Sequence, residues 1–449
     1  MSQPNILYLH SHDTGRYIRP YGYDVPTPNL QALAEEGILM RQAFCTNPTC
    51  SPSRASLLTG RWPHCNGMEG LSHRGWKLND YGHHILHTLR EHGYYSALCG
   101  VQHIASGDVD RIGYDAVLGR DTGHSGAIEY MAEQFLREPP QRPFFLSVGL
   151  RDTHRDWPEP GKDCRQTDPR FVRPPDPIPD TPETRYDMAG YNVDARTLDR
   201  KMGIVLDALE EGGLADETLL ICTTDHGIAF PRMKCNLEDS GIGVMLILRG
   251  PGLPGGEAVD GMVSQVDVFP TVCDYLGVDR PDWLQGVSFL PVLRGEADEV
   301  RDELFAEVNY HAAYEPMRAV RTKRWKYIRR WQERPGPVLP NCDEGITKDF
   351  WLRRGWKHKA PLREALFDLT FDPHEANNRA GDPECADVLA DMRGRLERFM
   401  QETDDPLLKG YVEPPDGARV NDEDGISPQQ PTRIAGEDWY PTPDSEPGE

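Results

Sequence analysis

Apolar positions along the chain follow two rhythms. Short runs of strand formers, bounded by polar turns, recur as NILYLH (5–10), YYSALCG (94–100), PFFLSVGL (143–150), TLLICTTDHG (218–227) and GVMLILRGP (243–251). They read as buried strands. Between them the spacing turns helical. PNLQALAEEG (28–37) predicts a helix closed by Gly37, and SRASLLTG (53–60) predicts a helix start after Pro52. HHILHTLREHG (83–93), MAEQFLREP (131–139) and VDVFPTVCDYLG (266–277) predict three more, and 183–213 contains one long helix. Strands alternating with helices predict an α/β fold, a sheet covered on both faces. Charged, histidine-rich turns follow the strands, where such folds keep their sites.

From about residue 301 the texture changes. MRAVRTKRWKYIRRW (317–331) alternates and is basic, which predicts a small antiparallel unit. Its cations read either as the lining of a pocket for an acidic sugar or as the wet face of an edge strand. LFDLTFDPHEANN (366–378) and a helix over DVLADMRGRLERFMQET (387–403) close the ordered part. Beyond Leu408, Pro, Gly, Asp and Glu dominate. The expectation there is irregular chain wrapping a neighbouring copy in a homo-oligomer. The division expected is a catalytic domain over 1–300, an α+β subdomain over 301–407 and an acidic, Pro-rich tail over 408–449.

With 449 residues, 38% of them hydrophobic, the chain can bury a large core. A net charge of -23 repels phosphate backbones and argues against a nucleic-acid partner. A small anionic substrate is not excluded, because salt screens a distant field beyond about 10 Å. No apolar run reaches the ~18 residues of a membrane span. The start, MSQPNILYLHSHD, has no basic region followed by an apolar stretch, so no signal peptide is expected. Ten cysteines scattered through so long a chain read as free thiols, and the cytoplasm is the expected compartment.

Two clusters invite comparison, HSHDTG (10–15) and TTDHG (223–227). Each follows an apolar strand and sets a histidine beside an aspartate. If the strands are neighbours, His12, Asp13, Asp225 and His226 can converge on one cation. Either cluster alone reads equally as a cap or surface turn; the pair favours a metal. A mixed nitrogen and oxygen set suits manganese, zinc or iron, whereas calcium prefers oxygen. Strand 94–100 leads to Val101, Gln102 and His103, and strand 143–150 to Arg151, Asp152, Thr153, His154 and Arg155. Lys234 follows the second cluster, and Arg54 lies one helical turn from Cys50. A cation, several basic groups and a cysteine make a cavity for a tetrahedral oxyanion. His10 is expected to face the sheet core, His64 to shape the pocket, and Cys45 and Cys65 to be buried thiols.

CSPSRASLLTGRWPH (50–64) resembles the signature of the formylglycine-dependent sulfatases of the alkaline phosphatase superfamily, with C-x-P-S-R at Cys50, Pro52, Ser53 and Arg54. The likeness runs from NILYLHSHDTG through GVQH, THRDW and TTDHG to LFDLTFDPHEANN, about residues 4 to 400. HCNGMEGL and RDTHR are most similar to the sulfamidase-like branch, which cleaves N-linked as well as O-linked sulfate. The resemblance implies an alkaline phosphatase-like mixed sheet sandwiched by helices. It implies one divalent ion, manganese or calcium with zinc as the alternative. It also implies that a formylglycine-generating enzyme converts Cys50 to 3-oxoalanine.

The aldehyde hydrates to a geminal diol. One hydroxyl, acidified by the metal, attacks sulfur; the other then loses its proton, expels sulfate and restores the aldehyde. By the same resemblance His12, Asp13, residue 50, Asp225 and His226 hold the metal. Arg54 orients residue 50, His103 assists proton removal, and His154 and Lys234 hold sulfate oxygens, one of them protonating the leaving group. Two positions depart from the family. His12 stands where an aspartate is usual, and GVQH places Val101 where G-K-x-H has lysine; Arg155 or Arg151 is expected to compensate. A histidine beside the second metal aspartate keeps open phosphonate monoester or phosphodiester hydrolysis. A non-catalytic sulfate- or sugar-binding role is the third reading.

Overall fold

Alternation along the first strand shows how the core is organised. Ile6 and Tyr8 enter one apolar cluster, and Leu7 and Leu9 enter another on the opposite face. That is the pattern of a sheet buried on both sides. The computed structural model describes residues 3–119 and 128–437. Eight strands build the main sheet: β1 (Asn5–His10), β2 (Ile38–Phe44), β3 (Tyr95–Gly100), β4 (Ala116–Leu118), β5 (Phe144–Gly149), β6 (Thr218–Thr223), β7 (Leu246–Arg249) and β8 (Glu257–Ser264). Their order is β4-β3-β5-β1-β6-β7-β2-β8, and only β7 runs against its neighbours. Leu30 and Leu33 of helix Pro28–Glu36 and Leu198, Met202 and Val205 of helix Pro182–Glu211 cover the Leu7 face. Leu57 and Leu58 of helix Cys50–Thr59, with Phe269 and Val272 of helix Val268–Leu276, cover the Tyr8 face. The fold is the mixed α/β sheet between helices expected from the sequence.

A second sheet follows: β9 (Glu303–Tyr310), β10 (Tyr314–Thr322), β11 (Trp325–Arg330) and β12 (Glu364–Asp368), antiparallel in the order β12-β11-β10-β9. Helix Ala386–Glu402 packs on it, with Phe399 stacked on Phe305 at 4.0 Å between ring centroids. The basic run 317–331 is not simply a wet face, and part of it borders cavities: Arg321 and Lys323 line one and Arg330 lines another. Arg321 and Lys326 are buried, and both pair with Asp239, at 2.9 and 2.6 Å. They fasten the second sheet to the segment between β6 and β7.

The tail departs from the irregular chain expected beyond Leu408. Its described part carries a two-stranded ladder, β13 (Arg419–Asn421) with β14 (Thr432–Ile434). It packs on its own chain: the Asn421 amide donates to the Ala312 carbonyl at 2.8 Å. Residues 438–449 lie outside the described residues. No helix among the described residues is long and apolar enough to cross a membrane.

Candidate active site and metal centre

Two adjacent parallel strands set the centre. β1 pairs with β6, His10 opposite Thr223, so the residues after each strand leave the sheet side by side. The Ser11 amide donates to the Thr223 carbonyl at 3.1 Å, and the Asp13 amide donates to Asp225 Oδ1 at 2.8 Å. Asp13 has φ 56°, a left-handed conformation that aspartate tolerates better than most residues. The next strand over, β5, leads to His154, and β3 beyond it leads to His103.

His12, Asp13, Cys50, Asp225 and His226 are all buried, and each offers an atom within 4.8 Å of the others. His226 Nδ1 lies 2.9 Å from the Gly227 carbonyl. A carbonyl only accepts, so Nδ1 carries the proton and Nε2 keeps its lone pair. That lone pair faces Asp13 Oδ1 at 3.3 Å and Cys50 Sγ at 3.4 Å. Two lone-pair donors facing each other with no proton between them fit a cation. His12 Nδ1 adds a nitrogen, 2.7 Å from Asp13 Oδ1 and 3.1 Å from Asp225 Oδ2. Nitrogen and carboxylate donors together suit a divalent ion.

Cys50 is the first residue of its helix, whose N-cap Thr49 makes no side-chain cap. Pro52 has no N–H and the Ser53 amide donates to the Thr49 carbonyl, so the amides of Cys50 and Ser51 are the ones that can face an anion. Burial pushes the Cys50 thiol well above its usual range, and Asp13 and Asp225 add to this against Lys234 and Arg54. As a thiol it is protonated near neutrality and a poor nucleophile. Arg54, buried one turn on, donates from Nη2 to Asp225 Oδ2 at 3.0 Å and to the Ser11 carbonyl at 2.8 Å. Its Nη1 donates to His10 Nδ1 at 2.5 Å. His10 thus acts on the site indirectly, as a brace for Arg54.

The Lys234 ammonium lies 2.8 Å from Asp13 Oδ2 and 3.0 Å from Asp343 Oδ2. Burial works to lower the Lys234 pKa, but the two carboxylates outweigh it and hold the amine charged. Burial likewise works to raise Asp13, and Lys234 with the neighbouring imidazoles keeps it well below the usual carboxylate range. His154 turns Nδ1 to the Arg155 carbonyl at 2.5 Å and sets its ring against His12, centroids 4.7 Å apart. His103 Nδ1 lies 3.3 Å from His12 Nε2. Burial holds His103 well below the usual histidine range.

Other expectations are corrected. Arg155 does not face the site: its Nη atoms donate to both Asp187 oxygens at 2.8 Å, and its Nε donates to the Ala229 carbonyl at 2.8 Å. Arg151 is exposed. Arg155, committed to Asp187, does not stand in for the lysine missing at Val101, which is half-buried. His64 belongs to a separate buried group, its Nδ1 2.6 Å from Glu307 Oε2. Cys45 is buried and Cys65 half-buried, and both are free thiols. Sequence reasoning missed Asp343 and His311. The latter is buried within electrostatic reach of Lys234, Asp343 and His226, and its Nδ1 has no partner.

Comparison with known proteins agrees with this geometry. The Sulfatase family matches residues 4–278, and the family described as N-sulphoglucosamine sulphohydrolase, C-terminal, matches 232–336. An N-sulphoglucosamine sulphohydrolase of Homo sapiens is 30% identical over 484 residues, spanning 95% of this chain and 94% of its own. An ulvan-active sulfatase of Formosa agariphila is 28% identical, over 89% of this chain and 75% of its own. The solved structure of a 2-O GAG sulfatase shares the fold with a TM-score of 0.72 at 20% identity, covering 92% of this chain and 95% of that one.

Proposed function

The chain belongs to the sulfatase family, and from that premise we propose that it hydrolyses sulfate esters or sulfamates with residue 50, oxidised to formylglycine, as nucleophile. The observation that carries this reading is the placement of Cys50 Sγ against His226 Nε2, inside the buried ligand cluster and at a free helix N-terminus. The match to the sulphohydrolase C-terminal family supports sulfate on an amino sugar, N-linked or O-linked, as the substrate class.

His12, Asp13, Asp225 and His226 would hold one divalent ion, manganese or calcium with zinc as the alternative, completed by residue 50. When bound, that ion supplies positive charge to the sulfuryl oxygens and to the residue 50 hydroxyl. Arg54 orients residue 50 and braces Asp225. Lys234 donates to Asp13 and lies in ion-pair range of Asp343, which leaves N–H capacity for a sulfate oxygen. With Nδ1 donating to the Arg155 carbonyl, His154 would act through Nε2, which as an imidazolium N–H donates to a sulfate oxygen or gives its proton to the leaving group. His103 would take the proton from the remaining hydroxyl of the hemiacetal sulfate, whose C–O bond to the sulfate then breaks as the aldehyde reforms.

Charge supports a monoanionic substrate. Asp13, Asp225 and Asp343 together exceed Arg54 and Lys234 by one negative charge. A dication reverses this to a surplus of one positive charge, which a sulfate monoester neutralises and a phosphate dianion overshoots. A second reading, hydrolysis of phosphonate monoesters or phosphodiesters, satisfies the same balance and is favoured by His226 beside Asp225. The ten cysteines, all unpaired, fit a reducing compartment, and the cytoplasm is our assignment. Maturation would require a formylglycine-generating enzyme.

Mass spectrometry of the peptide around residue 50, from cells holding that enzyme, tests the nucleophile. Formylglycine lowers the mass by about 18 Da from cysteine. An unmodified thiol in fully active protein overturns the reading. Paired assays on an aryl sulfate and an aryl phosphonate decide between the two substrates; a higher kcat/KM on the phosphonate reverses the order.

A further inference from the structure

Two arginines, Arg74 on the 72–74 turn and Arg419 on the tail, meet beside the site, and among the described residues neither has an acidic partner. The turn at 72–74 is fastened beside residue 50: the Ser72 amide donates to Ser51 Oγ at 3.0 Å, and Ser72 Oγ donates to the His103 carbonyl at 3.1 Å. His73 then stacks on His103, centroids 5.3 Å apart and planes within 12°. Arg74 follows, and only neutral acceptors hold its guanidinium. These are Asn421 Oδ1 at 2.8 Å and the carbonyls of Ala312 and Arg419 at 3.4 Å and Pro428 at 3.3 Å. Arg419, exposed on β13, donates to the His73 carbonyl at 2.7 Å. Among the described residues no carboxylate pairs with either.

This is unexpected in a chain with 72 acidic and 49 basic side chains. A guanidinium serving only to pin the tail would gain by pairing with one of the surplus acids. Burial and Arg419 instead push Arg74 down to about 10. Burial, then Arg74, Arg419, His154 and Lys234 push His73 down to about 4. The rim arginines and the site cations therefore act on the same place.

We propose that Arg74 and Arg419 form a second anion subsite beside the His103 edge of the site, which binds a carboxylate or a further sulfate of the substrate. The inference rests on the hydrolase reading above and narrows it to substrates carrying two anionic groups. It also gives the tail a task, since β13 delivers Arg419 and Asn421 anchors Arg74.

The test compares the full-length enzyme with Arg419→Gln and Arg74→Gln on four substrates. These are an aryl sulfate, a sulfated disaccharide with a uronate carboxylate, its uronate methyl ester, and a disaccharide with a second sulfate instead. Arg419→Gln is expected to raise KM roughly tenfold on a doubly charged sugar with kcat within about twofold, and to leave the aryl sulfate and methyl ester unchanged. Whichever doubly charged sugar responds identifies the second group as carboxylate or sulfate. Equal changes on all four substrates, or no change on any, overturn the proposal.

Because Arg74 also anchors the tail, Arg419→Gln is the decisive variant. Calorimetric binding of the same disaccharides to Cys50→Ala, with and without Arg419→Gln, keeps the test independent of turnover. Wild-type enzyme inactive on every sulfate removes the hydrolase reading. Loss of the tenfold binding difference, or no binding of the doubly charged sugars, removes the subsite.

Discussion

Asp343 Oδ2 lies 3.0 Å from Lys234 Nζ, so a residue beyond the second sheet's first three strands closes an ionic chain that begins at the metal cluster. Lys234 is buried, and its removal leaves Asp343 without a counter-charge. Lys234→Met is expected to lower stability by about 3 kcal/mol, as breaking a buried pair does. It should also lower kcat/KM by roughly two orders of magnitude, as loss of a charge facing the transferring group does. Adding Asp343→Asn removes the orphaned carboxylate and should restore stability without restoring turnover. Urea unfolding and steady-state kinetics on both variants check this; recovery of both quantities together would show that Lys234 acts only on folding.

His12→Asp replaces a nitrogen donor with a charged oxygen beside Asp13 and Asp225. Calcium gains more from this than manganese or zinc does. The expected outcome is a shift of metal preference toward calcium, read by elemental analysis of protein equilibrated with a mixture of the three ions. The variant also loses the contact of His12 Nε2 with His103 Nδ1, now 3.3 Å, so turnover should fall even where metal content is full. Unchanged metal preference would exclude His12 as a ligand.

What was legible in the sequence was local. NILYLH followed by SHD, and LLICT followed by TDH, carry both the strand and the ligands within a few residues, so β1, β6 and their turns could be read together. The adjacency of those strands makes the cluster, and it was an inference from fold class rather than from any residue. Asp343 and His311 left no such trace, because they reach the site from the C-terminal half with no motif around them. Arg155 misled for the opposite reason: it sits in a motif-rich turn, but Asp187, 32 residues away, takes its guanidinium. β8, EAVDGMVS, went unpredicted because its first half is exposed and carries acidic residues at an edge of the sheet.

Arg155 should therefore behave as a structural residue. Its guanidinium lies 3.6 Å from the Trp157 ring centroid and makes a two-pronged pair with Asp187. Arg155→Lys keeps the charge but loses the fork and the stacking. A stability loss of about 2 to 3 kcal/mol is expected, with KM for a small aryl sulfate unchanged in the folded fraction. A raised KM at unchanged stability would place Arg155 on the substrate after all.

Glu69 offers a pH-dependent test of the join between the two sheets. Burial, reinforced by Glu307 and opposed by Arg318, pushes its carboxyl up to about 7. In the unfolded chain a glutamate titrates near 4.3. Below that value both states hold the proton and Glu69 has no effect on stability. Between about 4.3 and 7 the unfolded chain releases its proton and the folded one keeps it, so stability falls as pH rises, by up to about 3 kcal/mol. Glu69→Gln removes the titration while keeping an oxygen for the Asn309 amide that Glu69 now accepts. The variant should match the wild type in urea midpoint at pH 4.5 and exceed it at pH 8. An equal difference at both values would mean that Glu69 is ionised throughout, held so by Arg318 despite its burial.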